Sequence, residues 1–173
     1  MQENIVALLV HDCAEPMEFI RRALEREFIE TQSVKTCGEV AAILWGSRPP
    51  HLVFADPCLA DGSWEDVIVL TEQAPVPANV IVVSEVVDIA LYLEAIQRGA
   101  FDFIVPPLPQ PDLSYVVRSA VENALRRRKA QAAISENAKS ESGNARTTEP
   151  AGSNPTRGEA VKRRDAPEIH MVC

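Results

Sequence analysis

The 173-residue chain has no long apolar run, and that absence removes whole classes of protein. Its longest such stretches, Ile5 to Val10 and Val67 to Leu70, fall far short of the ~20 residues that span a bilayer. The opening Met-Gln-Glu-Asn lacks the basic start and small-residue cleavage site of a secretory leader. Neither a membrane protein nor a secreted one is expected, and a cytoplasmic location follows. Cysteine is scarce and unpaired: Cys13, Cys37, Cys58 and Cys173 show no C-x-x-C spacing. Neither a disulfide framework nor a zinc site is indicated, and free thiols in a reducing compartment are expected. Glycine is missing between His11 and Pro16, so no phosphate-cradling loop follows the first apolar run. That counts against a nucleotide- or flavin-dependent enzyme. Positive charge is in deficit, with a formal net charge of −8. Nucleic-acid affinity rests on phosphate neutralisation, so no nucleic-acid partner is expected.

Large apolar residues also run out near Ala130. Beyond it only Ile134, Val161, Ile169, Met171 and Val172 remain among Ser, Asn, Thr, Pro, Gly and charged residues. Such a composition cannot bury enough surface to offset its ordering entropy, so residues 130–173 are expected to be a disordered polar tail. The tail holds six acids and six bases, leaving 19 acids against 11 bases in residues 1–129. The expectation is an acidic folded domain, 1–129, carrying a neutral tail.

What the first 129 residues do contain is alternation. Short branched apolar runs at Ile5–Val10, Leu52–Ala55, Val80–Val83 and Phe103–Val105 suit strands covered on both faces, with a more polar candidate at Gln32–Cys37. Helical spacing appears between them. Met17, Ile20, Leu24 and Phe28 follow Pro16, which is placed well for a first turn. Val40, Ile43 and Leu44 give a second helix, and Trp64 to Glu72 a third in which Val67 to Val69 would equally suit a strand. Ile89, Tyr92, Leu93 and Ile96 give a fourth ending at Gly99; Leu113, Val117, Ala120 and Ala124 give a fifth after Pro111. The pattern predicts an α/β, (βα)5 domain: a doubly wound, five-stranded parallel sheet of flavodoxin-like type. Sites in such sheets lie beyond the carboxyl ends of the strands. His11-Asp12-Cys13, Asp56-Pro57-Cys58, Ser84-Glu85 and Pro106-Pro107 are therefore the residues to examine.

These residues resemble the receiver (CheY-like) domains of two-component response regulators across roughly residues 3–129. Leu8-Leu9-Val10-His11-Asp12 is similar to the first strand with its acidic pair. Pro50-His51-Leu52-Val53-Phe54-Ala55-Asp56 is similar to the third strand ending in the phospho-accepting aspartate, and Leu59-Ala60-Asp61-Gly62 to the turn after it. Val80-Ile81-Val82-Val83-Ser84 resembles the fourth strand with its hydroxyl residue, and Gly99-Ala100-Phe101-Asp102-Phe103-Ile104-Val105 the approach to the fifth. The resemblance implies strand order 2-1-3-4-5. It implies a single-domain response regulator in a two-component or phosphorelay pathway, not an enzyme beyond self-catalysed phosphoryl transfer. A sensor histidine kinase or phosphotransfer protein would be its donor. A downstream protein would dock on the face of the fourth helix, fifth strand and fifth helix, Ile89 to Arg128.

By the same resemblance Asp56 is the phosphoacceptor and Mg2+ is held by Asp12, Asp56 and the backbone carbonyl of Cys58. Ser84 hydrogen-bonds the phosphoryl group and Phe103 is the aromatic that moves on activation. Plainer roles compete: Asp12 or Ser84 as a helix cap, Phe103 as core, Cys58 as an inert thiol, His11 as a tolerated substitution. Two positions depart from the pattern. His11 stands where the family has an acid, and Pro106 where it has a lysine. His11 removes one of the negative groups that would attract the metal, and Pro106 offers no ammonium to the acyl phosphate; together they open an alternative, a phosphorylation-independent pseudo-receiver that serves as an interaction module. The basic run Arg126 to Lys129 complements a helix C-terminus.

Overall fold

The computed structural model describes residues 4–12 and 15–143. Strands β1 (Val6–Val10), β2 (Glu30–Val34), β3 (Leu52–Ala55), β4 (Asn79–Val83) and β5 (Asp102–Ile104) alternate with α1 (Glu15–Arg26), α2 (Cys37–Leu44), α3 (Trp64–Gln73), α4 (Ile89–Gln97) and α5 (Gln110–Gly143). The main sheet is wholly parallel in the order β2-β1-β3-β4-β5, as expected. Its register sets Ala7 beside both Thr31 and Leu52, and Val53 beside Val80. The central strands β1, β3 and β4 are buried throughout, which explains their unbroken apolar runs. The edge strand β2 is half-exposed and polar.

Side chains alternate across the sheet and build two cores. Ala7, Leu9, Leu52, Phe54, Ile81 and Val83 face α1 and α5. Leu8, Val10, Val53, Ala55, Val80 and Val82 face α2, α3 and α4. Each fully buried Leu or Phe contributes roughly 1.5–3 kcal/mol, so slipping one strand by a residue would exchange the two cores' contents at heavy cost.

Three expectations need correction. Phe28 does not continue the α1 stripe: the helix ends at Arg26, and Phe28 is 93% exposed at φ 58°. Ile29 N–H donates to Leu24 O and Phe28 N–H to Glu25 O, a Schellman stop that places Phe28 where glycine usually sits. Ile29 rejoins the core in its stead. On α4, Ile89, Tyr92, Leu93 and Ile96 are exposed, whereas Ala95 is buried and Leu91 packs beside it. That helix is apolar all round, so spacing alone could not select its inner face. Finally, α5 runs on to Gly143, past the boundary expected at 129. Ala130, Gln131, Ala132 and Ala133 are good helix formers, and extending an existing helix avoids the cost of a nucleus. The rest of the expected disordered tail, 144–173, lies outside the described residues.

The middle of α5 is tied to neighbouring loops. Arg128 donates to the carbonyls of Pro77, Pro49 and Pro50, Arg127 to Asn79 Oδ1, and Gln131 to Pro75 O. Asn79 in turn donates to Ala120 O at 2.8 Å. Because α5 runs on to Gly143, the basic run lies mid-helix and does not complement the helix C-terminus; Arg127 and Arg128 instead clamp the loops at the amino ends of β3 and β4.

Candidate functional site

At their carboxyl ends β1, β3 and β4 are each bonded to a neighbouring strand, β2, β1 and β5 respectively, by ladder bonds that continue one residue past the strand. His11 N–H donates to Val34 O at 3.0 Å, Asp56 N–H to Val10 O at 3.0 Å, and Ser84 N–H to Ile104 O at 2.9 Å. The backbone therefore fixes His11, Asp56 and Ser84 along one rim, and Asp12 and Glu85 follow directly.

Asp56 is the buried member, 9% exposed, whereas Asp12 and Glu85 are open to solvent. The backbone amide of Asp12 donates to the Asp56 carboxylate. Even so, the Asp56 carboxyl is pushed up from 3.8 to about 7. Burial is the main cause, and the negative charges of Glu85 and then Asp12 add to it. Among the described residues no Lys or Arg pairs with Asp12, Asp56 or Glu85.

The segment after Asp56 is braced rather than loose. Cys58–Leu59 pairs antiparallel with Gly62–Ser63 in a small hairpin that the apolar pattern did not reveal. Asp61 at its turn accepts from the backbone amides of Cys37 at 2.7 Å and Gly38 at 3.2 Å, holding the hairpin against the N-terminus of α2. Those amides keep the Asp61 carboxyl below its ordinary range. Burial, followed by Asp61 and Asp66, pushes the Cys37 thiol up. Gly62 is needed for this approach, since a Cβ there would stand 2.7 Å from Asp66 Oδ2 and 2.8 Å from Cys37 Sγ. Ser63 and Asp66 close a capping box that starts α3. Cys58 itself is exposed.

Ser84 is buried and forms a local turn: its Oγ donates to Val86 O at 3.0 Å and accepts from Val86 N–H at 3.3 Å. The cap of α4 is Asp88, not Ser84. Phe103 is half-buried, and its ring meets Tyr92 edge-on at 5.9 Å and 81°. The Pro106-Pro107 peptide is cis. Glu85 is the residue whose part the sequence reading missed; it was noted only as following β4, and its charge acts directly on Asp56.

The rim presents the carboxylates of Asp12, Asp56 and Glu85, oxygen donors that suit a hard cation such as Mg2+ rather than zinc. Among the described residues no three His, Cys, Asp or Glu side chains stand ready to cage a metal. Mg2+ keeps several waters, so a site of few protein oxygens fits its habit. The uncompensated charge around Asp56 favours a cation there.

No family model matches the sequence, and no curated protein matches it significantly. Solved structures do. The signal receiver domain of a Vibrio parahaemolyticus protein described as a Luxo repressor aligns with a TM-score of 0.62 at 26% identity, covering 70% of this chain and 93% of that one. The fold is that of a response-regulator receiver domain. NtrX from Brucella abortus aligns at a TM-score of 0.63 and 27% identity, over 74% of this chain and 29% of that one. A CheY-like response regulator receiver domain protein from Methanospirillum hungatei aligns at 0.60 and 19% identity, over 72% and 98%. Among the described residues no helix is long and apolar enough to cross a membrane.

Proposed function

We propose that this chain is a phosphoacceptor response regulator, with Asp56 receiving a phosphoryl group from a histidine kinase or phosphotransfer protein. The observation that carries the reading is the buried Asp56 carboxylate, held by the Asp12 amide and facing two further acids with which, among the described residues, no basic side chain pairs. In the transfer, an Asp56 oxygen forms a bond to phosphorus as the bond from phosphorus to the donor imidazole nitrogen breaks, and the imidazole departs with that electron pair. The transition state spreads charge over its equatorial oxygens, so positioning and neutralisation dominate. Asp12, Asp56 and the Cys58 carbonyl would hold Mg2+, which when bound supplies that neutralisation. The Asp12 amide orients the nucleophile, and the braced hairpin keeps residues 57–63 in place beside it. Ser84 would release its bond to Val86 to reach a phosphoryl oxygen. Phe103, moving against Tyr92, would report to the α4–β5–α5 face, where Ile89, Leu93 and Ile96 are exposed to a downstream protein.

The ionised carboxylate is the nucleophile, so a carboxyl titrating at about 7 makes transfer rise with pH through neutrality. A cation at the rim would lower that value.

Pro106 favours a second reading, a pseudo-receiver that docks partners without phosphorylation, because it gives no ammonium to the acyl phosphate. Incubation with acetyl phosphate and Mg2+, followed by intact mass measurement, separates the two. The phosphoacceptor reading expects a phosphoryl adduct that is absent from Asp56→Asn. An unmodified mass in both proteins supports the scaffold.

A further inference from the structure

A pocket of about 310 Å3 opens beside the Asp56 rim, walled by Pro16, Phe19, Pro106 and Pro107, with Glu85 as its charged lining residue. Apolar side chains from the start of α1 and the turn after β5 line it, and polar atoms share its surface about equally. Glu85 belongs both to this pocket and to the acidic rim, standing near enough to Asp56 for their charges to repel. Among the described residues no Lys or Arg pairs with these acids or lines the pocket. The cavity thus sets the Phe19 and proline side chains beside an acidic end.

We propose that this pocket receives a lysine side chain presented by a partner protein. The four-carbon stem would lie against Phe19 and the prolines, as lysine stems do on apolar surface, with the ammonium beside Glu85 and turned toward Asp56. Charge complementarity selects the occupant: a neutral stem would leave the acids unbalanced, and an acidic group would be repelled. A compact ammonium suits a position between two separate carboxylates, whereas a guanidinium fork is best matched by one coplanar acceptor. The volume admits such a chain together with water. Nothing in this inference requires that Asp56 be phosphorylated.

The test is an NMR titration of the full 15N-labelled chain with Nα-acetyl-lysine methylamide, without phosphoryl donor. The isosteric norleucine amide serves as the uncharged control. Saturable shifts confined to Phe19, Glu85 and the flanks of Pro106 are expected. Binding of the norleucine amide, and of the lysine amide to Glu85→Gln, should be weaker by about tenfold, the loss of one charge-assisted contact. Pro106→Lys, which fills the pocket from within, should remove the binding; Phe19→Ala, which strips one wall, should weaken it if the proline change disturbs folding. Absence of localised shifts, equal binding of the norleucine amide, or full binding by Glu85→Gln would overturn the proposal. Because no phosphoryl donor is present, a failure here is distinct from a failure of Asp56 to accept phosphate.

Discussion

The backbone amide of Asp12 donates to the carboxylate of Asp56, yet the Asp56 carboxyl still titrates near neutrality. One hydrogen bond does not offset burial and two neighbouring negative charges. The pair of residues at the ends of β1 and β3 is therefore locally unfavourable to folding and favourable to a cation.

That imbalance sets a pH dependence. The folded value of about 7 lies above the ordinary 3.8, so protonation of Asp56 favours the folded state. Its contribution is complete below about pH 4 and is lost as pH rises through about 7. Without divalent cations, urea denaturation should show a loss on the order of 2 kcal/mol from this group between pH 5 and pH 8. Asp56→Asn should remove that part of the slope and be the more stable protein at pH 8. Parallel slopes in the two proteins would count against a buried, repelled carboxylate.

Much of the fold could be read from the residues, because strands buried on both faces leave unbroken apolar runs such as Val6 to Val10 and Val80 to Val83. The rim residues could be read as well, since each follows such a run directly. Side-chain pattern did not show what depends on backbone geometry. Phe28 looked like a fourth helical contact because nothing in its side chain announces a left-handed stop. The Cys58–Ser63 hairpin is too short to display a period, and the charge of Glu85 matters only once β3 and β4 are adjacent. The α4 face was ambiguous because its apolar residues encircle the helix.

Phe28 offers a direct check of that helix stop. A bulky residue at φ 58° with its ring in water carries a conformational cost and little compensating burial. Phe28→Gly should raise stability by about 0.5–1 kcal/mol in thermal or urea unfolding. A clear loss would show that the ring makes contacts that its exposure conceals.

Gly62 should behave oppositely. Adding a methyl would press on the Asp66 carboxylate and the Cys37 sulfur, disturbing the capping box of α3 and the hairpin at once. Gly62→Ala is expected to cost roughly 1–3 kcal/mol. A wild-type melting curve would contradict the close approach.

Truncation tests where the folded unit ends. Gln131 is the last described residue seen to bond to the loops below the sheet. We propose that a chain ending at residue 135 melts like the full protein. A chain ending at 126, which loses the contacts of Arg127, Arg128 and Gln131, should melt several degrees lower. Equal melting of all three would remove any stabilising role for the clamp.

The most direct measurement concerns the bond said to form at Asp56. After incubation with Mg2+ and acetyl phosphate, borohydride reduction converts an aspartyl phosphate to homoserine, and peptide mass spectrometry locates it. Homoserine at position 56, abolished by EDTA and by Asp12→Ala, is the expected result. Homoserine at another aspartate, or none at all in the folded protein, would contradict the account.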